Sequence, residues 1–406
     1  MKMTLDHPHL ISLAAGFTDN PSLPVREVRE TLEEILRSPA SGPPALQYGS
    51  TVGDPLLRRL TAERLRVLDG VKPARGGGDL YAPERLLVTS GSQQLLYMIT
   101  EALCDPGDLV LLEDPTYFVY LGITQSHGLR CRGIRLAEDG LDLDYLAGVL
   151  EQLKRQGELS RVKMLYLVTY YQNPTGVTTR FEKKVGALEL LRRYERAAGH
   201  PIYLLEDAAY RELRFAGPAV PSALACAGLG ERVIYAGTYS KPFATGARVG
   251  FGLLPRELFS IVARIKGNHD FGSANLLQQL MARVLRSGRY EAHLEEVAPR
   301  YARKAAVIGQ ALRAHFPASV RWMEPQGGMY VWARLPAGLK AGLRSKLFQA
   351  ALARDVLYVP GELCYADDPT RRKPAHELRL SFGGGSLPEL RAGIARLGEV
   401  LTAQMG

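Results

Sequence analysis

Several apolar runs of this 406-residue chain end in residues that can do chemistry. The run Val233-Ile234-Tyr235-Ala236 leads through Thr238-Tyr239-Ser240 to a lone lysine, Lys241, with Gly246 and Arg248 just beyond. Others end in Ser90-Gly91-Ser92-Gln93, in Asp114-Pro115-Thr116-Tyr117, in Asn173-Pro174-Thr175-Gly176 and in Asp207-Ala208-Ala209-Tyr210. Each has a plain reading. Ser90 can cap an ordinary strand-to-helix turn, Asp207 can cap a helix, Asn173 can start a turn, and Tyr117 and Tyr210 can be core aromatics. Each also has a chemical one. Gly and Ser ahead of a helix expose N–H groups at its positive end, which suits a phosphate. A carboxylate at the end of an apolar strand is costly unless it meets a cation or a strong donor. Arg248 and Arg379, both in apolar surroundings, are in structural ion pairs or reach for an anion.

Taken together, a phosphate cradle, a buried carboxylate, a stacking aromatic and a desolvated lysine match pyridoxal phosphate. A lysine condenses with its aldehyde, and burial helps the amine shed its proton. A carboxylate keeps the pyridine nitrogen protonated, so the ring draws electrons. Lys241 is then placed to be covalently occupied. Walker-type loops and G-x-G-x-x-G fingerprints are absent, which argues against a nucleotide.

The elements that must position these residues alternate between strand and helix. Asp54-Pro55 opens a helix with the apolar stripe Leu56, Leu57, Leu60 and Leu65. Strands are expected over 85–90, 108–115, 163–176, 201–207, 232–240 and 249–255, with "GSQQLLYMITEALC" a helix. Continuous apolar runs separated by helices indicate a mainly parallel sheet buried on both faces, where ligands bind at the carboxyl ends. Beyond about 290 the strands are fewer and alternate apolar with polar. The fold class is therefore α/β: a large domain over 45–290 on a mainly parallel sheet, and a smaller α+β domain over 291–406. Residues 1–44 are expected to pack with the smaller one. The Gly76-Gly77-Gly78 run reads as a surface loop.

Composition narrows the partners. The net charge of +9 is spread over helices that also carry glutamates, which argues for solvated faces and against nucleic acid. No apolar run is long enough for a membrane span, and Asp6, His7, Pro8 and His9 interrupt any leader-like core, so a cytoplasmic address is expected. Cys104, Cys131, Cys226 and Cys364 are far apart and read as small buried hydrophobes, with no metal site.

The landmarks "ISLAAG", "LQYGSTVGDPLLR", "TSGSQQLL", "EDPTY", "YQNPTG", "LEDAAYRELRF", "TYSKPFATGARVGF", "QGGMYVWARLP" and "LRLSFGGG" follow in this order along nearly the whole chain. In that order and spacing the chain resembles the fold-type I pyridoxal-phosphate aminotransferases of class I/II, nearest the 2-aminoadipate and kynurenine subgroup. The resemblance implies that Lys241 forms the imine with the cofactor and then moves the substrate's α-proton. It implies Asp207 at the pyridine nitrogen, Asn173 and Tyr210 beside the phenolic oxygen, and Tyr117 stacked on the ring. Ser92, Gln93, Thr238 or Ser240, and Arg248 would hold the phosphate. Tyr48 would reach the phosphate of a partner subunit's cofactor, implying a homodimer with shared sites. Arg379 would grip the substrate α-carboxylate, with Asn173 beside it, and Gly16 would lie on the segment closing over the substrate.

One departure is Tyr170, where relatives usually have proline. The expected activity is amino transfer from an α-amino acid to a 2-oxo acid, with 2-oxoglutarate the expected acceptor, by a ping-pong route. A lyase, decarboxylase or synthase using the same cofactor is the alternative. The effector-binding half of a transcriptional regulator is a further one, but it needs a winged helix that residues 1–10 are too short to supply. Arg26 or Arg29 could meet a distal substrate carboxylate, although a solvated helix face is the expected reading for both.

Overall fold

The computed structural model describes residues 2–73 and 79–405; the Gly76-Gly77-Gly78 run lies outside these. After a short strand β1 (Ile11–Ser12), the apolar runs form β2 (Leu86–Thr89), β3 (Leu109–Asp114), β4 (Arg130–Ala137), β5 (Gly140–Leu141), β6 (Val162–Val168), β7 (Tyr203–Asp207), β8 (Val233–Thr238) and β9 (Gly250–Leu253). They make one sheet in the order β2-β9-β8-β7-β6-β3-β4-β5. From β8 to β4 every pairing is parallel. Strand β9 runs antiparallel between β2 and β8, and β5 folds back on β4. Every residue of β2, β7, β8 and β9 is buried, as strands covered on both faces require. The mainly parallel sheet expected from the sequence is there.

Strand β4 was not expected. Its arginines at 130, 132 and 135 break the apolar run, because β4 lies towards the sheet edge and alternates exposed with buried positions. The apolar stretch from 163 onward stops being strand at Val168. The chain there turns through Tyr171, whose φ of 43° lies in the left-handed region. The Tyr170 ring is held between the Lys184 ammonium, 4.0 Å from its centroid, and the Arg211 guanidinium at 5.1 Å.

Strand β3 leads to β4 on one side, while β6, β7 and β8 follow on the other. The connections therefore diverge at the carboxyl ends of β3 and β6, leaving a crevice there. Helix Gly91–Leu103 packs on β8 and β9 and points its first turn at that rim. Asp54 caps its helix as expected, its Oδ1 accepting from the Leu57 N–H at 2.8 Å, a contact of about 1 kcal/mol.

Further along are β10 (Arg321–Trp322), β11 (Tyr330–Arg334), β12 (Val356–Leu357), β13 (Val359–Pro360) and β14 (Glu377–Ser381). Four of them form an antiparallel sheet in the order β10-β11-β14-β13. Helices Arg289–His315 and Leu387–Met405 pack together beside it. The helix expected near 341–354 is shorter, Lys346–Leu352. Strand β1 pairs in parallel with β12. The Leu13 carbonyl accepts from the Ser381 N–H at 2.6 Å, so the backbone leading to Gly16 is bonded to the end of β14. All four cysteines are buried and unpaired, as read from their spacing. No helix among the described residues is long and apolar enough to cross a membrane.

Candidate active site

A cavity of about 370 Å³ opens at the carboxyl ends of the central strands. Gly16, Ser92, Gln93, Tyr117, Asn173, Asp207, Tyr210, Thr238, Ser240, Lys241 and Arg248 all line it. Residues scattered over more than two hundred positions meet because the parallel strands deliver their last residues to one rim.

Lys241 follows β8 and is half-buried; its Nζ donates to the Gly16 carbonyl at 2.8 Å. Full desolvation, as expected of it, is not what the structure shows. A Cβ on Gly16 would stand 2.7 Å from the Tyr330 hydroxyl and 3.9 Å from Lys241 Nζ, so only glycine allows this approach.

Asp207 closes β7 and is buried. Burial pushes its carboxyl up to about 6, against the Tyr166 hydroxyl donating at 2.9 Å and the Ala209 N–H at 3.1 Å, which favour the ionised form. A carboxylate so placed favours a cationic N–H in the cavity. Tyr166 is in turn stacked on Tyr120, with centroids 3.8 Å apart.

The helix opening at Gly91 has no side-chain cap, so the serine-cap reading of Ser90 fails. Its first N–H groups remain donors beside Ser92 and Gln93 on the cavity wall. Gly91 has φ +72°, and a side chain there would collide with the Arg248 guanidinium. Among the described residues Arg248 meets only neutral oxygens, of Ser240 at 3.3 Å, Thr245 at 3.2 Å and Ser90 at 3.3 Å. Thr238 Oγ1 accepts from the Ser240 N–H at 3.0 Å. A helix N-terminus, two hydroxyls and an uncompensated guanidinium together make an anion cradle.

Behind Asn173 on the cavity wall, Arg379 on β14 is buried. Its guanidinium donates to Asn173 Oδ1 at 2.7 Å and to the Ala14 carbonyl at 2.6 Å, and its Nε has no partner. A buried guanidinium without a carboxylate and with an orphaned N–H suits an incoming carboxylate. Asn173 Nδ2 faces the Tyr210 hydroxyl at 3.5 Å. Tyr117 is half-buried on the wall, at the start of helix Phe118–Ser126.

The predicted residues thus converge, with two exceptions. Arg379 lies outside the cavity lining and meets it through Asn173. Tyr48 does not enter its own chain's cavity: it is 81% exposed, its ring 5.3 Å from that of the exposed Phe271. Arg26 and Arg29 are both exposed, and Arg26 donates to Glu27, in keeping with a solvated face. Two residues at the site escaped the sequence reading. Tyr166 lies mid-strand among apolar neighbours and reads as core; Tyr330 lies within "GGMYVWARLP" and reads as strand. Period-two alternation from Arg379's partner strand was the one signal for Tyr330, and it needs the β11–β14 register, which pairs Tyr330 with Ser381.

The donor set fits pyridoxal phosphate: an amine, a carboxylate facing a would-be cation, an anion cradle, and an aromatic wall.

Residues 8–397 match the family described as "Aminotransferase class I and II". The chain is 34% identical to the 2-aminoadipate transaminase of Thermus thermophilus, over 99% of this chain and 92% of that protein. Among solved structures it is similar to the Pyrococcus horikoshii kynurenine aminotransferase, with TM-score 0.89 and 30% identity, covering 100% of this chain and 94% of that one. It is also similar to LysN, the α-aminoadipate aminotransferase of Thermus thermophilus complexed with N-(5'-phosphopyridoxyl)-L-leucine. There the TM-score is 0.82 and the identity 33%, over 98% of this chain and 93% of that one.

Proposed function

Because this chain belongs to the class I and II aminotransferase family, and so is a pyridoxal-phosphate-dependent aminotransferase, we propose that it moves an amino group from an α-amino acid to 2-oxoglutarate by a ping-pong route. The observation that carries this reading is the cavity lined by Lys241, Asp207, an anion cradle and Asn173, whose Oδ1 accepts from the buried Arg379. Amino transfer needs such a pairing of amine and carboxylate grip. Elimination, decarboxylation and effector sensing are not favoured by the relatives' activities.

When bound, pyridoxal phosphate supplies an aldehyde that takes up the amino group and a ring that stabilises negative charge at the substrate's α-carbon. Asp207 holds the pyridine N–H. Asn173 and Tyr210 donate to the phenolic oxygen, and Tyr117 keeps the ring plane. The first-turn N–H groups at Ser92 and Gln93, with Thr238, Ser240 and Arg248, hold the phosphate. Arg379 takes the α-carboxylate in a two-bond fork that orients the α-C–H, with Asn173 alongside. Lys241 Nζ would be the base that removes the substrate's α-proton and the acid that returns it on the far side of the imine nitrogen. Its bond to the Gly16 carbonyl keeps the amine near that path when it is free.

A second copy completes the site. Tyr48 and Phe271 are exposed apolar anchors, and an apolar groove of about 990 Å³ runs along helix Val25–Arg37, where Val25 is 72% exposed. Such a face is covered in a stable homodimer. The partner's Tyr48 would then complete the phosphate site.

The test is Lys241→Ala with a panel of amino acids and 2-oxoglutarate. The wild type should transfer to 2-oxoglutarate and show a visible cofactor absorbance; the variant should lose both. Retained transfer in the variant would sink the reading.

A further inference from the structure

Tyr330 on β11 stands with its hydroxyl 3.2 Å from that of Tyr210, the rings edge to face with centroids 5.7 Å apart. The Arg379 guanidinium lies 4.3 Å from the centroid of the Tyr330 ring. Arg379 donates to Asn173 Oδ1, which turns the Nδ2 end of that amide towards Tyr210. Four side chains therefore close a loop: Arg379, Asn173, Tyr210, Tyr330 and back to Arg379.

The loop fixes where protons can lie. A phenol has one proton to give and two lone pairs to receive. Asn173 Nδ2 can only donate, so the Tyr210 oxygen accepts on that side. The direction of the contact between the two hydroxyls then decides the rest. If Tyr210 donated to Tyr330, no Tyr210 proton would remain for a ligand. If Tyr330 donates, the Tyr210 proton is free to point into the cavity.

We infer that Tyr330 donates its hydroxyl proton to Tyr210 and is the positioning residue that keeps the Tyr210 O–H turned to an anionic oxygen in the cavity. This rests on the functional reading above, under which that oxygen is the cofactor's phenolic one. Charge favours this direction. The guanidinium over the Tyr330 ring withdraws electron density and strengthens its hydroxyl as a donor. Burial, followed by the neighbouring Tyr330 and Tyr117, holds the Tyr210 phenol well above its usual range, so Tyr210 stays a neutral donor. The other ionisable groups around the pair are Lys241 across Gly16, Asp207 near Tyr117, and Tyr301.

Tyr330→Phe keeps the ring under Arg379 and removes one hydroxyl. In the reconstituted holoenzyme, the pH midpoint of the cofactor's visible absorbance change should rise by about 0.5–1 unit, because a weaker donor stabilises the phenolic anion less. KM for the amino donor should stay within about twofold, because Arg379 keeps its stacking partner. In a Tyr210→Phe background the same substitution should move the midpoint by less than about 0.2 unit, the group it acts through being gone. An unmoved midpoint in Tyr330→Phe overturns the inference, and so does an equal shift in the Tyr210→Phe background. A wild type lacking any cofactor absorbance would instead overturn the functional reading, and this inference with it.

Discussion

Asp207 occupies a site where its ionised form is disfavoured, its carboxyl pushed up to about 6 from 3.8 by burial. The unfolded chain releases that proton at lower pH. In cofactor-free protein the contribution to stability is therefore full below about pH 4 and is lost as pH rises through 6, on the order of 3 kcal/mol in all. Asp207→Asn removes this slope. Its thermal midpoint should gain on that of the wild type by several degrees between pH 4 and 7, measured without cofactor. With cofactor the order reverses, because the carboxylate then has its cation and the amide does not. Glu113 behaves similarly without touching the cavity. It is fully buried and pushed up to about 8, its Oε2 accepting from Val168 N–H and Gln172 Nε2, both at 2.9 Å. Glu113→Gln should remove a loss of stability that runs from about pH 4.5 up to 8.

The helix that opens at Gly91 acts as one element: its uncapped first turn and its left-handed first residue together make room for Arg248. Gly91→Ala should cost about 1 kcal/mol of stability through the positive φ. It should weaken cofactor binding at least about tenfold by displacing the guanidinium from the cradle; a cofactor titration and a melting curve separate the two effects. Elements of this kind were largely legible in the sequence. Apolar runs marked the buried strands, and the polar ends of those runs marked the rim. Strand β4 was hidden because an edge strand tolerates arginines at its exposed positions. Tyr166 and Tyr330 were hidden for another reason. A tyrosine inside an apolar run shows nothing of what its hydroxyl meets, and their partners Asp207 and Tyr210 lie 41 and 120 positions away.

On the scale of the whole molecule, Tyr48 stands exposed and outside its own chain's cavity, and in the proposed homodimer it would reach the cavity of the second copy. Sequence patterning reads a chain's own interior well and says little about which exposed aromatic a second copy will bury; only the resemblance pointed to Tyr48. Subunit exchange tests the point. Mixed dimers of Tyr48→Ala and Lys241→Ala chains contain one cavity with both native residues. Activity at limiting cofactor should therefore rise above that of either parent, and a mixture no better than its parents would argue against a shared site.

The hydrogen bond from Arg379 to the Ala14 carbonyl and the one from Lys241 to the Gly16 carbonyl fall two residues apart on one short length of backbone. The guanidinium and the lysine amine are therefore anchored to the same few backbone atoms, and the distance between them is set by that one length of chain.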